Sequence, residues 1–175
     1  MENKQTMLYK TLCNFYKNNT NMKILYNYVT KNESISLRIF DFLCTKYAKN
    51  NNVVYYITKN NKQIPFNLNV SYKAQLKAYS KQQFDPFKRH ERITIPCVSS
   101  PTKNLTTTIG QMNFFKFVIE SKLIDWIKKS DNLKKIENEI SNELKKKSSK
   151  DKSTGIIKKK NIASTNNLKI TVTFK

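Results

Sequence analysis

The chain has 175 residues, enough for one domain with extensions and a modest core. Two Gly and four Pro exclude a collagen-like or loop-built chain, while ten Phe and nine Tyr supply bulky core material despite a hydrophobic fraction of 38%. Lys and Arg number 33 against 12 Asp and Glu, a formal charge of +21 that attracts phosphate polymers, acidic proteins or anionic membranes.

The first segment, Met7 to Tyr16, sets Leu8, Leu12, Phe15 and Tyr16 at helical spacing, and Ile24, Leu25, Tyr28 and Val29 form a second short apolar face. In "NESISLRIFDFLCTKYAKNNN", Ser34 or Ser36 caps a helix whose inner face carries Leu37, Phe40, Cys44 and Tyr47. The run Asn50 to Asn52 ends it. The period then changes. Val53, Tyr55 and Ile57 alternate, "KNNK" turns, and Ile64, Phe66 and Leu68 alternate again, which predicts a β-hairpin with a loop longer than two residues. Pro65 marks its second strand as an edge or a bulge.

Ser71 is the expected N-cap of a helix through about Ser80, with Tyr72, Leu76 and Tyr79 inward and Lys73, Lys77 and Lys81 outward. Asp85-Pro86 makes a turn, "ERITIPC" a strand ended by Pro96, and "SSPTKN" a loop. Thr107 or Thr108 caps a helix carrying Met112, Phe115 and Ile119, and Leu123, Ile124, Trp126 and Ile127 extend the apolar surface. Residues 132–147 form a more polar helix with a narrow stripe of Leu133, Ile136, Ile140 and Leu144. "KKKSSKDKSTGIIKKK" is basic, low-complexity and expected as a flexible loop. Leu168, Ile170, Val172 and Phe174 alternate in a closing strand that needs a sheet to join.

The fold class is therefore α+β: a single small domain with helices packed on a short antiparallel sheet made of the hairpin plus the C-terminal strand. Its parts are a globular domain over 1–129, an amphipathic helix over 130–147, a basic loop over 148–167 and the returning strand over 168–175. Helices joined by a tight turn beside a hairpin also occur in winged-helix DNA binders.

The inventory argues against catalysis. His90 is the sole histidine, and Cys13, Cys44 and Cys97 show no paired metal-ligand spacing, so no metal or cofactor is expected. Gly110 and Gly155 stand alone, which excludes a phosphate-cradling glycine loop. Asp41, Asp85, Glu91, Glu120 and Asp125 give no spacing signal of a carboxylate pair, and Cys44 reads as a core filler. The protein is not expected to be an enzyme. Three dispersed cysteines suit a reducing compartment, the N-terminus lacks a signal-peptide core, and no apolar run is long enough to span a bilayer. Neither secretion nor membrane insertion is expected.

Binding is better supported. "SYKAQLKAYSKQQFDPFKRHERI" holds Lys73, Lys77, Lys81, Lys88, Arg89 and Arg92 against Asp85 and Glu91 alone, with Tyr72, Tyr79, Phe84 and Phe87 interleaved. Lys and Arg neutralise phosphates, and aromatic rings stack on exposed bases. Lys145, Lys146 and Lys147, with Lys158, Lys159 and Lys160, add two further clusters. Two structural readings weigh against this. An amphipathic helix buries its aromatics first, and the wealth of Asn and Lys points to AT-rich coding sequence, which raises Lys without selection for binding.

The blocks "SLRIFDFLCTKYAKNNNVVYYI", "SYKAQLKAYSKQQFDPFKRHERI" and "TTIGQMNFFKFVIESKLIDWI", in that order, resemble a family of small proteins in nucleocytoplasmic large DNA viruses, mimivirus relatives and algal viruses among them. In those relatives the position of Lys88 is often Cys and that of His90 often Arg, which speaks against a role for His90. The resemblance implies a setting, host cytoplasm (the viral factory) or virion, and no mechanism. The leading expectation is a nucleic-acid-binding protein of low sequence specificity, contacting DNA or RNA backbones in packaging, replication or transcription. The alternative is a virion assembly protein that meets acidic viral partners through Leu133, Ile136, Ile140 and Leu144.

Overall fold

Asparagine punctuates this chain. The computed structural model describes residues 3–87, 91–97, 104–129 and 131–155, with side chains through residue 146. The side chain of Asn3 accepts from the Gln5 amide to open α1 (Lys4–Phe15), and that of Asn18 accepts from the Thr20 and Asn21 amides to open α2 (Asn19–Val29). Each satisfies amides that the first helical turn leaves without a partner. The third helical stretch comprises α3 (Leu37–Phe42), a π-helical turn (Leu43–Tyr47) and α4 (Ala48–Asn50), with Ser36 at its N-cap position and Asn51 ending it. Cys44 lies in the π-helical turn, fully buried.

The first hairpin pairs β1 (Val54–Lys59) with β2 (Lys62–Asn67) in the register Tyr55↔Phe66 and Ile57↔Ile64. Its loop is two residues rather than the longer one expected. Asn60 and Asn61 both take left-handed backbone angles, φ 51° and 57°, as a tight hairpin whose turn matches strand twist requires. Pro65 sits opposite Tyr56 in a sheet that has two strands among the described residues, both of them edges there.

The next helix, α5 (Leu68–Ala78), begins four residues earlier than a Ser71 cap implies. Asn67 is the cap, its side chain accepting from the Val70 amide at 3.0 Å. Leu68 is at once the next inward position of the strand alternation and the first residue of the helix, so periodicity alone misplaces the boundary. Tyr79 takes an extended conformation that ends α5, and a separate turn, α6 (Lys81–Phe84), follows.

A second hairpin, β3 (Ile93–Pro96) with β4 (Asn104–Thr107), is only half visible in the sequence. "NLTT" supplies its second strand, with Ile95 and Leu105 opposite one another and both buried. Thr107 is therefore a strand residue, and Thr108 caps α7 (Ile109–Glu120) by accepting from the Gln111 amide. After a turn come α8 (Leu123–Lys128) and α9 (Asn132–Gly155). The last helix runs through Gly155, into the stretch expected as loop. The returning strand expected at Leu168–Phe174 lies outside the described residues, and the second sheet observed is the β3–β4 hairpin. The molecule is an α+β protein, 63% helical, with two antiparallel sheets of two strands each among the described residues.

The centre of the core is α7, where Met112, Phe114, Phe115, Phe117 and Val118 are all buried. A helix apolar on most sides must be surrounded by other elements. Around it runs an unbroken chain of ring contacts: Trp126 on Tyr55, Tyr55 on Phe66, Phe66 on Phe117, Phe117 on Phe84, Phe84 on Phe114, Phe114 on Phe115, and Phe115 on Tyr28 and Phe40. Gly110 admits α6 closely, because a Cβ there would stand 2.7 Å from the Asp85 carbonyl oxygen. Asn113 completes that contact by donating its side-chain amide to the Gln83 carbonyl at 2.9 Å. The described chain divides after Glu139 into two compact units.

Candidate nucleic-acid interface

Lys73 and Lys77 stand one helical turn apart on α5. Lys81 does not continue that row, because the extended Tyr79 interposes a break before α6. All three lysines are exposed, as is Arg92 just ahead of β3. None makes an ion pair with a described acid. Elsewhere Lys116 pairs with Glu120 at 3.0 Å, Lys128 meets Glu33 at 3.9 Å and Lys134 meets Asp131 at 3.5 Å. Lys88 and Arg89 lie outside the described residues, so their place beside the other four rests on sequence adjacency.

The interleaved aromatics divide by burial. Tyr72 and Phe84 are core, their rings 5.7 Å apart. Tyr79 is half-buried and stacks nearly parallel on Phe84, 13° between planes. Leu76, expected inward, is 38% exposed, although it lies one helical turn beyond buried Tyr72 on α5. Phe87 is exposed as well.

Lys145 and Lys146 are exposed on α9 and engage in interactions of their own. The side chain of Lys147 and all of Lys158, Lys159 and Lys160 lie outside the described residues. Of the expected partner stripe, Ile136 is fully buried, Leu133 and Ile140 are half-buried and Leu144 is exposed. Ile136 is thus already committed to packing within the fold.

Asp85 lies close enough to Asp41 for its charge to be felt there, a proximity that spacing does not reveal. The acid of Asp41 is half-buried, and its pKa is raised first by burial and then by the charge of Asp85. Asp85 is anchored by accepting from the Phe87 amide at 2.9 Å. The Cys44 thiol is pushed well above its ordinary value by complete burial and by Asp41, so it stays protonated at neutral pH. Among the described residues no three His, Cys, Asp or Glu side chains gather as metal ligands, and no helix is long and apolar enough to cross a membrane.

Clefts open at several places on the surface. One, of about 470 Å³, has Tyr28, Lys31, Glu33, Arg38 and Phe87 in its walls. Another, of about 540 Å³, lies between the first hairpin and α5, with Phe66, Gln75 and Phe117 in its walls. A further one joins that hairpin to α8 and contains Lys122 and Lys129, two cations that no sequence pattern singles out.

Fold and surface together define a small α+β protein with exposed cations that pair with no described acid. The chain belongs to DUF7197, a family of unknown function, whose model matches residues 1–171. It is also 38% identical, over 115 residues, to an uncharacterized protein of Acanthamoeba polyphaga mimivirus. That match covers 64% of this chain and 44% of the mimivirus protein, so the chain spans less than half of its relative's length. The likeness supports a viral origin. No solved structure matches.

Proposed function

We propose that this protein binds nucleic acid through the phosphate backbone, with little sequence specificity, in genome packaging, replication or transcription of a large DNA virus. One observation carries the reading: Lys73, Lys77, Lys81 and Arg92 are exposed without an ion pair to any described acid, in a chain of charge +21. Cations left in water with no acid beside them are free to displace the counterions of a polyanion. Lys88 and Arg89 add two cations close to Arg92 in sequence, and Lys145 to Lys147 and Lys158 to Lys160 supply secondary contacts. The setting is the viral factory in host cytoplasm, or the virion.

Titration of the full chain against duplex and single-stranded DNA and RNA at two salt concentrations tests it. Tight binding at low salt that weakens steeply with added salt is expected. Reversal of Lys73, Lys77 and Lys81 to Glu lowers affinity for all sequences alike and reduces the salt slope by about one for each phosphate no longer neutralised. Absence of binding at low salt overturns the proposal.

The second reading, a virion assembly protein meeting acidic partners through the α9 stripe, keeps exposed Leu144 in its favour. It loses Ile136, which is buried. Cross-linking in virions that finds only protein neighbours would favour it.

A further inference from the structure

The cleft between the first hairpin and α8, about 480 Å³, combines a stacked aromatic pair that still reaches solvent with cations that have no described acid paired to them. In the cleft beside Arg38, by contrast, the stacked rings of Tyr28 and Phe115 are buried in the core. Tyr55 stacks on Trp126 with centroids 5.8 Å apart and planes 28° from parallel, and both rings are half-buried. The Tyr55 hydroxyl donates to the Ser121 carbonyl at 2.9 Å, fixing the hairpin against the turn that leads into α8. Strand alternation sends Tyr56 outward, where it is 69% exposed and still borders the cleft.

Lys122 and Lys129 stand at the two ends of α8, on either side of Trp126, and all three line the cleft. Both lysines are exposed, and neither forms an ion pair with a described acid. Asp125 also lines the cleft and offsets part of their charge. Lys122 adopts a left-handed conformation, φ 55° and ψ 30°, that Gly or Asn would take with less strain. Ease of the backbone therefore does not account for a lysine there.

We infer that this cleft holds an unpaired base of a single-stranded nucleic acid, with the flanking phosphates on Lys122 and Lys129. The inference rests on the nucleic-acid reading above and goes further by naming the strand form and the place of contact. A base within a duplex has both faces covered by its neighbours. A base in a single strand offers a face to an aromatic platform. The volume lies within the usual range for small-ligand pockets, roughly 300–1,000 Å³, and suits one nucleotide unit rather than a helix.

The chain contains one tryptophan among nine tyrosines, so emission excited selectively at the indole reports on this site. A short oligothymidylate is expected to quench Trp126 emission as it binds. An abasic strand of equal length and a blunt duplex, followed by anisotropy, bind through phosphates without quenching. Tyr56→Ala removes an exposed ring, and Lys122→Gly removes a cation while relieving the left-handed backbone. Each lowers affinity for oligothymidylate about tenfold and leaves duplex affinity nearly unchanged. Oligothymidylate bound with no change in Trp126 emission, or equal quenching by the duplex, overturns this inference and leaves the proposed function standing. No binding of any strand overturns both.

Discussion

The Tyr16 hydroxyl donates to the Met112 carbonyl oxygen at 2.7 Å, a buried bond between residues 96 positions apart. It ties the end of α1 to the middle of the central helix α7, and burial pushes the Tyr16 pKa well up, so the donor proton is retained. Replacing Tyr16 by Phe keeps the ring and deletes the bond. Stability should fall by about 1 kcal/mol, read from urea unfolding, with an unchanged denaturant slope.

Gly110 yields a steeper dependence on one methyl group. The obstacle to a Cβ is backbone, the Asp85 and Gln82 carbonyl oxygens at 2.7 and 3.1 Å, and neither can swing aside as a side chain would. Gly110→Ala would ordinarily gain helix propensity. Here it should instead destabilise by about 1–3 kcal/mol, because α6 must move away from α7. A melting temperature equal to or above the wild type would show that the contact is loose.

Much of this architecture is legible in the sequence because helical faces repeat locally. Leu25 and Tyr28 on α2, Phe40, Cys44 and Tyr47 on the third helical stretch, and Thr108 as a cap all follow from spacing. What is missed depends on single residues with two uses. Asn60 and Asn61 read as generic loop, yet both accept the left-handed region and close a two-residue turn. The short strand at Asn104–Thr107 offers too few alternations to be seen, and its identity rests on pairing with Ile93–Pro96. The exposed lysines of α5 are visible in the sequence as a row. The grouping of Tyr55 with Lys122, Trp126 and Lys129 is not, because it joins a strand to a helix far along the chain.

Asp41 makes the fold sensitive to pH. Burial, and secondarily the Asp85 charge, hold its folded-state pKa above the unfolded value near 3.8. The native state therefore binds the proton more tightly than the unfolded chain. Its contribution is most favourable below the unfolded pKa, declines as pH rises through the folded pKa, and leaves a net penalty at neutral pH. Asp41→Asn should raise the melting temperature at pH 7 and lose that advantage in acid. An advantage that persists at low pH would trace the effect to packing instead of charge.

Tyr28 bears a hydroxyl buried with no hydrogen-bond partner among the described residues, and burial raises its pKa to about 12, with Glu33 adding to the shift. Its ring stacks on Phe115 and meets Phe40 edge-on. The ring therefore stabilises while the hydroxyl costs desolvation. Tyr28→Phe should leave stability unchanged or raise it by about 1 kcal/mol, measured by thermal unfolding. A loss comparable with that of Tyr16→Phe would mean the hydroxyl finds a partner in solution.

Tyr72 and Tyr79 share one basic stretch and separate core from surface within it. Tyr72 is buried, touching both Phe84 and Phe117, whereas Tyr79 keeps a half-exposed ring stacked on Phe84 alone. Truncation to Ala should cost about 3–5 kcal/mol at Tyr72, the range for a large ring removed from a packed interior. At Tyr79 the cost should be nearer 1–2 kcal/mol, since the stacking goes and little cavity is left. Nucleic-acid affinity tells the two roles apart. If Tyr79 acts only in packing, the folded Tyr79→Ala protein binds oligonucleotide as tightly as the wild type. A several-fold drop in affinity without a matching drop in stability would instead place its exposed ring against a base.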